Sequence, residues 1–315
     1  MLPPDLQEWD DAVCASYKLD KLLIDKNNSK IKLFSSGSRS RFYSTAPYFY
    51  DGGVSLNSNK LDEATLSELQ DLIEVENLKY ILLKSREKIE IEFNEQIKID
   101  SEYFTFILDL SAGEDSVWKD KLKSTTRNQV RKAQKYDFEV RIGHEELLHD
   151  FYIVISEAWR DLGTPTHSRD FYGSILKKLK KKSGLMVIYH QGKPVSCALL
   201  LMVDNVIYHP YSCTLNRVKS TCVNNLLYWE IIKFACSKGY SQFDMGRSRK
   251  DQGTFKYKKS WGAEPIMLFY IYILNKRVNL PSFDNALYKC ATGMWKYMPL
   301  SLANVLGPLF IKNIL

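Results

Sequence analysis

Two hydrophobic periods run through this chain and predict alternating helices and strands. Apolar residues that recur at three- and four-residue intervals predict amphipathic helices. These helices are expected at residues 6–16, 61–77, 114–135, 145–162, 169–182 and 223–237. The helix at 114–135 is expected to break near residues 124–126. Ser168 is suited to cap the start of the helix at 169, and Gly239 the end of the helix at 223–237.

Runs rich in β-branched and aromatic residues predict strands between these helices. They lie at residues 31–34, 79–85, 88–93, 103–111, 138–143, 185–190, 195–203, 206–213, 241–246 and 265–274. Short polar segments at 191–194 and 204–205 join three of these strands and predict hairpin turns. The basic segment 253–262 is predicted to be a helix or a turn.

The order of elements from residue 138 onward is β-α-α-β-β-β-α-β-α-β. An antiparallel hairpin that feeds a strand and then a helix is typical of an α+β domain with a mixed sheet. The first third of the chain has a similar, reduced content and indicates a divergent duplicate. We therefore predict domains at 1–137 and 138–279, followed by an amphipathic helical tail at 280–315.

Composition narrows the class of protein. The chain has 315 residues, of which 45% are hydrophobic, and 44 Lys and Arg face 37 Asp and Glu, a net charge of +7. This excess suits phosphate-bearing ligands, RNA or an anionic membrane surface, and equally a solvated surface with no partner. The six cysteines form no C-x-x-C pair, and the start resembles no signal peptide. We expect a cytoplasmic protein with reduced thiols and no membrane span, and a peripheral position at the inner membrane is the alternative.

Several stretches taken together resemble the FemAB family, especially its branch associated with exopolysaccharide and the PEP-CTERM protein-sorting system. They are LDLSAGEDSVWKDKLKSTTRNQVRKAQK, FYIVISEAWRDLGTPTHSRDFY, NNLLYWEIIKFACSKGYSQFDMGRS, GTFKYKKSWGAEP and KYMPLSLANVLGP, with PYFYDGGV nearer the start. The resemblance covers most of the chain from about Tyr43, and it rests on the order and joint presence of these stretches.

The resemblance implies tandem GNAT-like domains, of the acyl-CoA N-acyltransferase type, with mixed and largely antiparallel sheets. Studied members of the family transfer an amino acid from aminoacyl-tRNA to the peptide of a peptidoglycan precursor. The implied activity here is an acyl- or aminoacyltransferase that forms an amide on an amine of a cell-envelope precursor, by direct attack without a covalent enzyme intermediate. That precursor is a nucleotide- or lipid-linked sugar or peptide. The implied donor is aminoacyl-tRNA, acyl-CoA or an acyl-carrier protein, with no tightly bound cofactor.

Basic residues share one face of the helix predicted at 114–135. Lys123, Arg127, Arg131 and Lys135 are spaced by four, so their like charges repel unless an anion lies against them. Since arginine suits bidentate phosphate contacts, Arg127 and Arg131 are candidates to bind the acceptor diphosphate. A solvated basic helix is the alternative.

The segment 253–259 carries the candidate catalytic residues. The resemblance places an aromatic-lysine pair near the transfer centre, and Tyr257 and Lys258 match it, with Lys256 beside them. Lys258 is expected to stabilise the oxyanion of the attacked carbonyl or to hold the donor. At the end of the strand at 241–246, Asp244 is expected to orient or deprotonate the amine, and capping of the glycine turn that follows is the alternative.

The remaining candidates lie in loops. Arg247 follows the same strand and is expected to bind an anionic group. His167 could serve as a base near neutral pH, although a structural role in its loop is the alternative. The other histidines have no metal-like spacing, so we predict no metal site.

The segment 215–225 lacks the glycine-rich turn with which acetyl-CoA enzymes of this fold cradle pyrophosphate. Ordinary acetyl-CoA binding is therefore disfavoured, although Arg217 and Lys219 could still hold an anion. Two other functions stay open: a non-catalytic binding protein of polysaccharide assembly, and a conventional N-acetyltransferase. Convergence of Arg127, Arg131, Lys258 and Asp244 in one cleft would favour the transferase. The tail, with an apolar stripe at Phe283, Leu287, Ala291, Met294 and Met298, is expected mainly to pack against the second domain, with at most weak attachment to an anionic lipid surface.

Overall fold

The computed structural model describes residues 2–26, 29–37, 41–92, 94–276 and 286–313, without the side chains of 286–289. Its α-helices are α1 (Gln7–Tyr17), α2 (Glu63–Val75), α3 (Gly113–Ser116), α4 (Ser124–Ala133), α5 (Leu148–Leu162), α6 (Arg169–Leu179), α7 (Val223–Ser237), α8 (Gly253–Lys259), α9 (Ala286–Lys296) and α10 (Leu300–Ile311). Its strands are β1 (Asp20–Lys26), β2 (Ser29–Ser35), β3 (Phe42–Ser44), β4 (Val54–Ser55), β5 (Tyr80–Ser85), β6 (Ile97–Asp100), β7 (Tyr103–Asp109), β8 (Phe138–Gly143), β9 (Ser183–His190), β10 (Lys193–Val203), β11 (Val206–Thr214), β12 (Gln242–Asp244), β13 (Ser248–Arg249), β14 (Glu264–Met267) and β15 (Phe269–Leu274).

The first compact unit comprises residues 1–104, 266–284 and 312–315. Its sheet has the strand order β1-β2-β3-β5-β15-β6, with β4 beside β2. Strand β15 comes from late in the sequence and pairs antiparallel with both β5 and β6. Buried apolar side chains of the sheet and of α2 form one core, because the apolar stripe of that helix covers the sheet.

The second unit comprises residues 105–265 and 285–311. Its sheet runs β13-β7-β12-β11-β10-β9-β8. The pairs β8–β9, β9–β10, β10–β11 and β12–β7 are antiparallel, whereas β11–β12 is parallel. The crossover between those two parallel strands is made by α7, as parallel neighbours require.

The parallel pair β11–β12 is short. Its register joins Val206, Ile207 and Tyr208 to Gln242, Phe243 and Asp244. Strand β11 continues to Thr214, whereas the chain leaves β12 after Asp244 and turns at Gly246, which has a φ of 72°. The candidate site is built at this turn.

Several predicted elements are confirmed, together with the order of elements from residue 138 to α8. The Ser168 side chain accepts a hydrogen bond from the Phe171 N–H at 3.2 Å and begins α6. Gln191 and Gly192, at φ of 51° and 72°, form the turn between β9 and β10. The break in the helix at 114–135 falls at Leu122, where a π-helical turn (Val117–Lys121) ends before α4 begins.

Two strand predictions were wrong in detail. Residues 88–92 form no strand beyond an isolated bridge between Glu90 and Lys60, although Ile89 and Ile91 are buried in the core of the first unit. Alternation reports which side chains are buried, and it does not report whether the backbone pairs. The single strand predicted at 265–274 is two strands, β14 and β15, separated at Leu268.

The unit boundary falls within β7, at Thr105, and residues 266–274 return to the first unit. The boundary that the sequence predicts at 137/138 rests on the order of elements from residue 138 onward, and it stays a prediction. Helices α9 and α10 pack against α5 and belong to the second unit. Phe283 of the predicted stripe, and the side chain of Leu287, lie outside the described residues.

Candidate active site

Lys258 is a buried lysine held by backbone carbonyl groups. It lies in α8 with 6% of its surface exposed. Its Nζ donates to the carbonyl oxygen of Gly246 at 2.8 Å and to that of Arg247 at 3.0 Å. It also lies over the ring of Phe106, 5.6 Å from the centroid. An ammonium group has three N–H donors, so one N–H remains for a further acceptor.

Burial and the neighbouring charges shift the pKa of Lys258 in opposite directions. Burial lowers the pKa of its ammonium to about 7, and the positive charge of Arg247 acts in the same direction. The negative charge of Asp244 acts the other way and favours the ammonium form. A buried lysine near neutral pKa is common at sites where charge develops during a reaction.

Asp244 fixes the turn on which Lys258 rests. Its carboxylate is fully buried. One oxygen, Oδ1, accepts from the hydroxyl of Thr105 at 2.5 Å and from the backbone N–H of Gly246 at 2.9 Å. The structure thus brings Asp244 and Lys258 together at Gly246. Asp244 accepts from the N–H of this glycine, and Lys258 donates to its carbonyl oxygen.

The side chain of Tyr257 contacts different residues from those that Lys258 contacts. Its hydroxyl accepts from the amide of Asn224 at 3.0 Å, and its ring packs edge-on against Tyr228. Burial raises the pKa of Tyr257 well above its ordinary value, so it is a neutral phenol. Asn224 in turn accepts from Thr214 at 3.3 Å, which ties α8 to the start of α7 and to the end of β11.

Arg127 caps a helix end. Its Nη1 donates to the carbonyl oxygens of Trp118, Lys119 and Leu122, at 3.1, 3.1 and 2.7 Å. Carbonyl groups at the end of a helical segment lack intrahelical partners, and a cation there is stabilising. These contacts give Arg127 a structural role that helical spacing could not reveal.

Arg131 is exposed and lies beside an aromatic ring. Its guanidinium is 5.3 Å from the centroid of Trp118, and its Nη1 donates to Asn128 at 3.2 Å. No described contact joins Arg127 or Arg131 to Lys258. Of the four residues expected to converge, the structure brings Lys258 and Asp244 together.

Arg247 and Lys256 are exposed on the surface of the second unit near Lys258. The backbone carbonyl of Arg247 accepts from Lys258, so its main chain belongs to the site. Lys256 lies two residues before Lys258, on the exposed side of α8. Both remain predicted substrate contacts.

His167 is buried in an aromatic cluster. Its ring stacks on Phe171, with centroids 3.9 Å apart, and its Nε2 lies 3.3 Å from the hydroxyl of Tyr211. Burial lowers its pKa to about 3, which keeps the ring neutral at physiological pH. These contacts favour the structural role over that of a base.

The turn before α7 shows how this chain manages without glycine. Residues Asn216–Thr221 form a 3₁₀ helix, and Cys222 then adopts φ 62°, the left-handed region that glycine favours. The left-handed residue of this turn is therefore Cys222 and not a glycine. Arg217 pairs with Glu157.

His209 belongs to the surroundings of Lys258 and was missed by sequence reasoning. It follows Tyr208, the last residue of β11 that pairs with β12. Its Nδ1 lies 3.2 Å from the hydroxyl of Ser212, and its buried Nε2 has no hydrogen-bond partner among the described residues. Burial, followed by the nearby charge of Lys258, lowers its pKa to about 3. Its proximity to Lys258 depends on the pairing of β11 with β12, which the sequence pattern does not reveal.

A second strained segment lies in the first unit, between β3 and β4. Ala46 and Tyr48 adopt φ of 47° and 60°, which side chains with a Cβ rarely do. The buried Lys84 ammonium donates to the carbonyl oxygens of Ala46 and Phe49, each at 3.2 Å. Strain of this kind clusters at functional sites.

Charged side chains and a glycine turn complete that segment. The buried carboxylate of Asp51 pairs with Arg86 at 2.5 Å. Gly52 and Gly53 follow at φ of 112° and 72°, a backbone region that favours glycine. The segment 45–53 is a candidate ligand-contacting loop of the first unit.

The described residues bear on two further features, metal binding and membrane crossing. No group of three or more His, Cys, Asp or Glu side chains there is arranged to hold a metal ion. None of the described helices combines the length and the apolar character needed to cross a membrane.

Comparison with known proteins supports the fold. Residues 120–259 match the family model described as "Acetyltransferase (GNAT) domain", which is less than half of the 315 residues. The chain is similar to the crystal structure of FemX, with 14% identity, a TM-score of 0.62, and 86% of this chain and 92% of that chain covered. It is also similar to the C-terminal domain of a putative lysylphosphatidylglycerol synthetase from Agrobacterium fabrum, with 11% identity, a TM-score of 0.56, and 94% and 90% covered.

A tandem GNAT protein from the clavulanic acid biosynthesis pathway is a further structural match, with 7% identity, a TM-score of 0.52, and 81% of this chain and 82% of that chain covered. Among curated proteins, no sequence matches this chain. At such low sequence identities, structural similarity is evidence for the fold only. The predicted fold class is confirmed: the chain has a GNAT-like α+β fold with mixed sheets.

Proposed function

We propose that this chain is an acyl- or aminoacyltransferase that joins an acyl group to an amine of a cell-envelope precursor. The observation that carries the proposal is the buried Lys258 ammonium, which uses two of its three N–H donors on carbonyl oxygens. The third donor suits an oxygen atom whose negative charge grows during the reaction. The match of residues 120–259 to an acetyltransferase domain supports the same reaction class.

The proposed reaction proceeds by direct attack. The amine nitrogen forms a bond to the carbonyl carbon of the donor ester or thioester, and the carbonyl oxygen takes up the electron pair. The Lys258 ammonium donates to that oxyanion. The tetrahedral intermediate then expels the donor oxygen or sulfur, the amine nitrogen loses a proton, and the leaving group gains one.

Asp244 is proposed to act through Lys258 and not by touching the amine. Its carboxylate is fully buried, and its Oδ1 already accepts from Thr105 and Gly246. Its negative charge favours the ammonium form of Lys258, which the oxyanion requires. Tyr257 is proposed to position α8 through Asn224.

The proposed acceptor is an amine on a peptidoglycan- or exopolysaccharide-type intermediate, and its anionic groups are proposed to contact Arg131, Arg247 and Lys256. FemX and the putative lysylphosphatidylglycerol synthetase domain, as structural neighbours, make aminoacyl donors worth testing beside acyl-CoA. The lack of a glycine turn before α7 counts against ordinary acetyl-CoA binding.

A non-catalytic binding protein is the second candidate. The observation that favours it is that Arg127 caps a helix and does not converge with Lys258. The two candidates differ in turnover, since a binding protein would bind the donor or the acceptor and release both unchanged.

A donor screen tests the proposal. The full chain is unfolded thermally in the presence of acetyl-CoA, acetylated acyl-carrier protein or alanyl-tRNA. A donor at 100 times its dissociation constant is expected to stabilise the fold by roughly 2.7 kcal/mol. Each stabilising donor is then incubated with a UDP-linked muramoyl pentapeptide that carries a free amine, and the amide product is measured by mass spectrometry. Stabilisation without product would favour the binding protein.

A further inference from the structure

Helix α10 is apolar on the face that the protein leaves exposed. Its packed face is formed by Ala303, Gly307 and Ile311, which are buried. Gly307 lies so close to the loop before α6 that a Cβ there would come within 2.7 Å of the Thr166 carbonyl oxygen. The helix is therefore docked firmly by its small residues.

The other face of α10 is expected to be polar, as on most surface helices. Instead it carries large apolar side chains at positions that share a helical face. They are Leu302, Val305, Leu309 and Phe310, with exposed fractions of 46%, 67%, 56% and 53%. Between Leu300 and Ile311 the sequence has no charged residue.

Helix α9 extends this apolar surface. The ring of Trp295 meets that of Phe310 edge-on, with centroids 5.6 Å apart, and joins the two helices. Next to Trp295 in the sequence, Met294 is 70% exposed, and Tyr297 in the connection to α10 is 90% exposed. Several large exposed apolar side chains on neighbouring helices are typical of a site of interaction with a partner or a membrane.

The charge of the tail indicates which kind of partner binds the exposed face of α9 and α10. After Asp284 the sequence has no Asp or Glu, whereas Lys289, Lys296 and Lys312 flank and interrupt the helices. A tail segment that is apolar and aromatic and whose own charged residues are all positive is complementary to a bilayer containing anionic lipids. A protein partner would need no such one-sided charge.

We propose that the exposed face of α9 and α10 docks on an anionic lipid surface. Leu302, Val305, Leu309 and Phe310 enter the interface, Tyr297 lies at headgroup level, and Lys296 and Lys312 meet the anionic headgroups. The packed face, centred on Gly307, keeps the helices on the second unit while the other face binds lipid. This inference concerns where the protein lies and does not depend on the proposed activity.

Co-sedimentation of the full chain with vesicles tests the inference. The vesicles contain phosphatidylcholine alone or a mixture with phosphatidylglycerol. We expect sedimentation with the anionic vesicles and release on raising the salt concentration, because salt screens the lysine contacts. The double variant Leu302→Ser and Val305→Ser should lose at least about tenfold in the partition constant, since it removes exposed apolar surface.

The matched control is Val75→Ser, which removes an exposed valine from α2 and should leave vesicle binding unchanged. Analytical ultracentrifugation without lipid measures self-association in parallel. Wild-type protein that stays in solution with anionic vesicles would overturn the proposal, whether or not the variants fold. A wild-type dimer that the double variant dissociates, without lipid binding, would assign the face to a second copy of the chain instead.

Discussion

Lys258 and Gly246 are joined by a hydrogen bond of 2.8 Å from the buried ammonium to the backbone carbonyl oxygen. The N–H of the same glycine donates to Asp244. One turn therefore holds a buried cation on its carbonyl side and a buried carboxylate on its N–H side. This arrangement fixes both charges by main-chain geometry, and it defines what the site can do.

The pH dependence of transfer should report the charge state of Lys258. Its pKa is lowered to about 7, so the ammonium form predominates below that pH and the neutral amine above it. Because the proposed role requires the ammonium, kcat/KM should fall as pH rises through about 7. Rate–pH profiles with a donor found in the screen check this. A rate that rises through the same pH would instead indicate that the neutral amine acts as a base.

Asp244→Asn should move that pH profile. The negative charge of Asp244 raises the pKa of Lys258, so its removal should lower this pKa further and shift the falling limb to lower pH. Asparagine keeps an oxygen that can accept from Thr105 and Gly246, which limits the loss of stability to about 1–3 kcal/mol. An unchanged profile in a folded variant would show that Asp244 does not act through Lys258.

Arg127→Ala and Arg131→Ala should behave differently. Loss of Arg127 removes three hydrogen bonds to carbonyl oxygens, so we expect a loss of about 1–3 kcal/mol in unfolding free energy. Arg131 is exposed, and its removal should change stability by no more than about 0.5–1 kcal/mol. Urea unfolding measures both. Equal effects on stability would contradict the capping role of Arg127.

Gly307→Ala should destabilise the tail. The added Cβ would meet the backbone of Thr166 at 2.7 Å, and neither side can yield without moving the main chain. Gly293→Ala is the matched control, because a Cβ at that helical position meets nothing within 4 Å. We expect a lower unfolding temperature for the first variant, and for the second an unchanged or slightly higher one, since alanine favours helix. Equal unfolding temperatures would show that α10 is not held by this contact.

Much of the fold could be predicted because the patterns are local. The helices, the hairpin turn at Gly192 and the cap at Ser168 each depend on residues close in sequence. The position of β15 could not be predicted, because it pairs with strands more than a hundred residues earlier. The hydrophobic periodicity of a segment does not show which sheet the strand joins.

The candidate site was predicted in part for the same reason. The family resemblance pointed to Lys258 and the predicted strand end to Asp244, and the structure adds the carbonyl oxygens and the Thr105 hydroxyl that hold them. Helical spacing grouped Arg127 with Arg131, although the Arg127 side chain donates to nearby backbone carbonyl oxygens. A sequence pattern shows which residues share one face of a helix, but it does not show which groups their side chains contact.

Turnover of Lys258→Met tests the central claim most directly. Methionine fills a similar volume without charge, and Lys259→Met, an exposed lysine of the same helix, is the control. Initial rates of amide formation are measured with the donor and acceptor of the screen, on variants shown by circular dichroism to be folded. We expect Lys258→Met to lose at least about tenfold, or roughly 1.4 kcal/mol of barrier, with partial recovery in Lys258→Arg and no loss in Lys259→Met. A folded Lys258→Met protein that retains the wild-type rate would contradict the account.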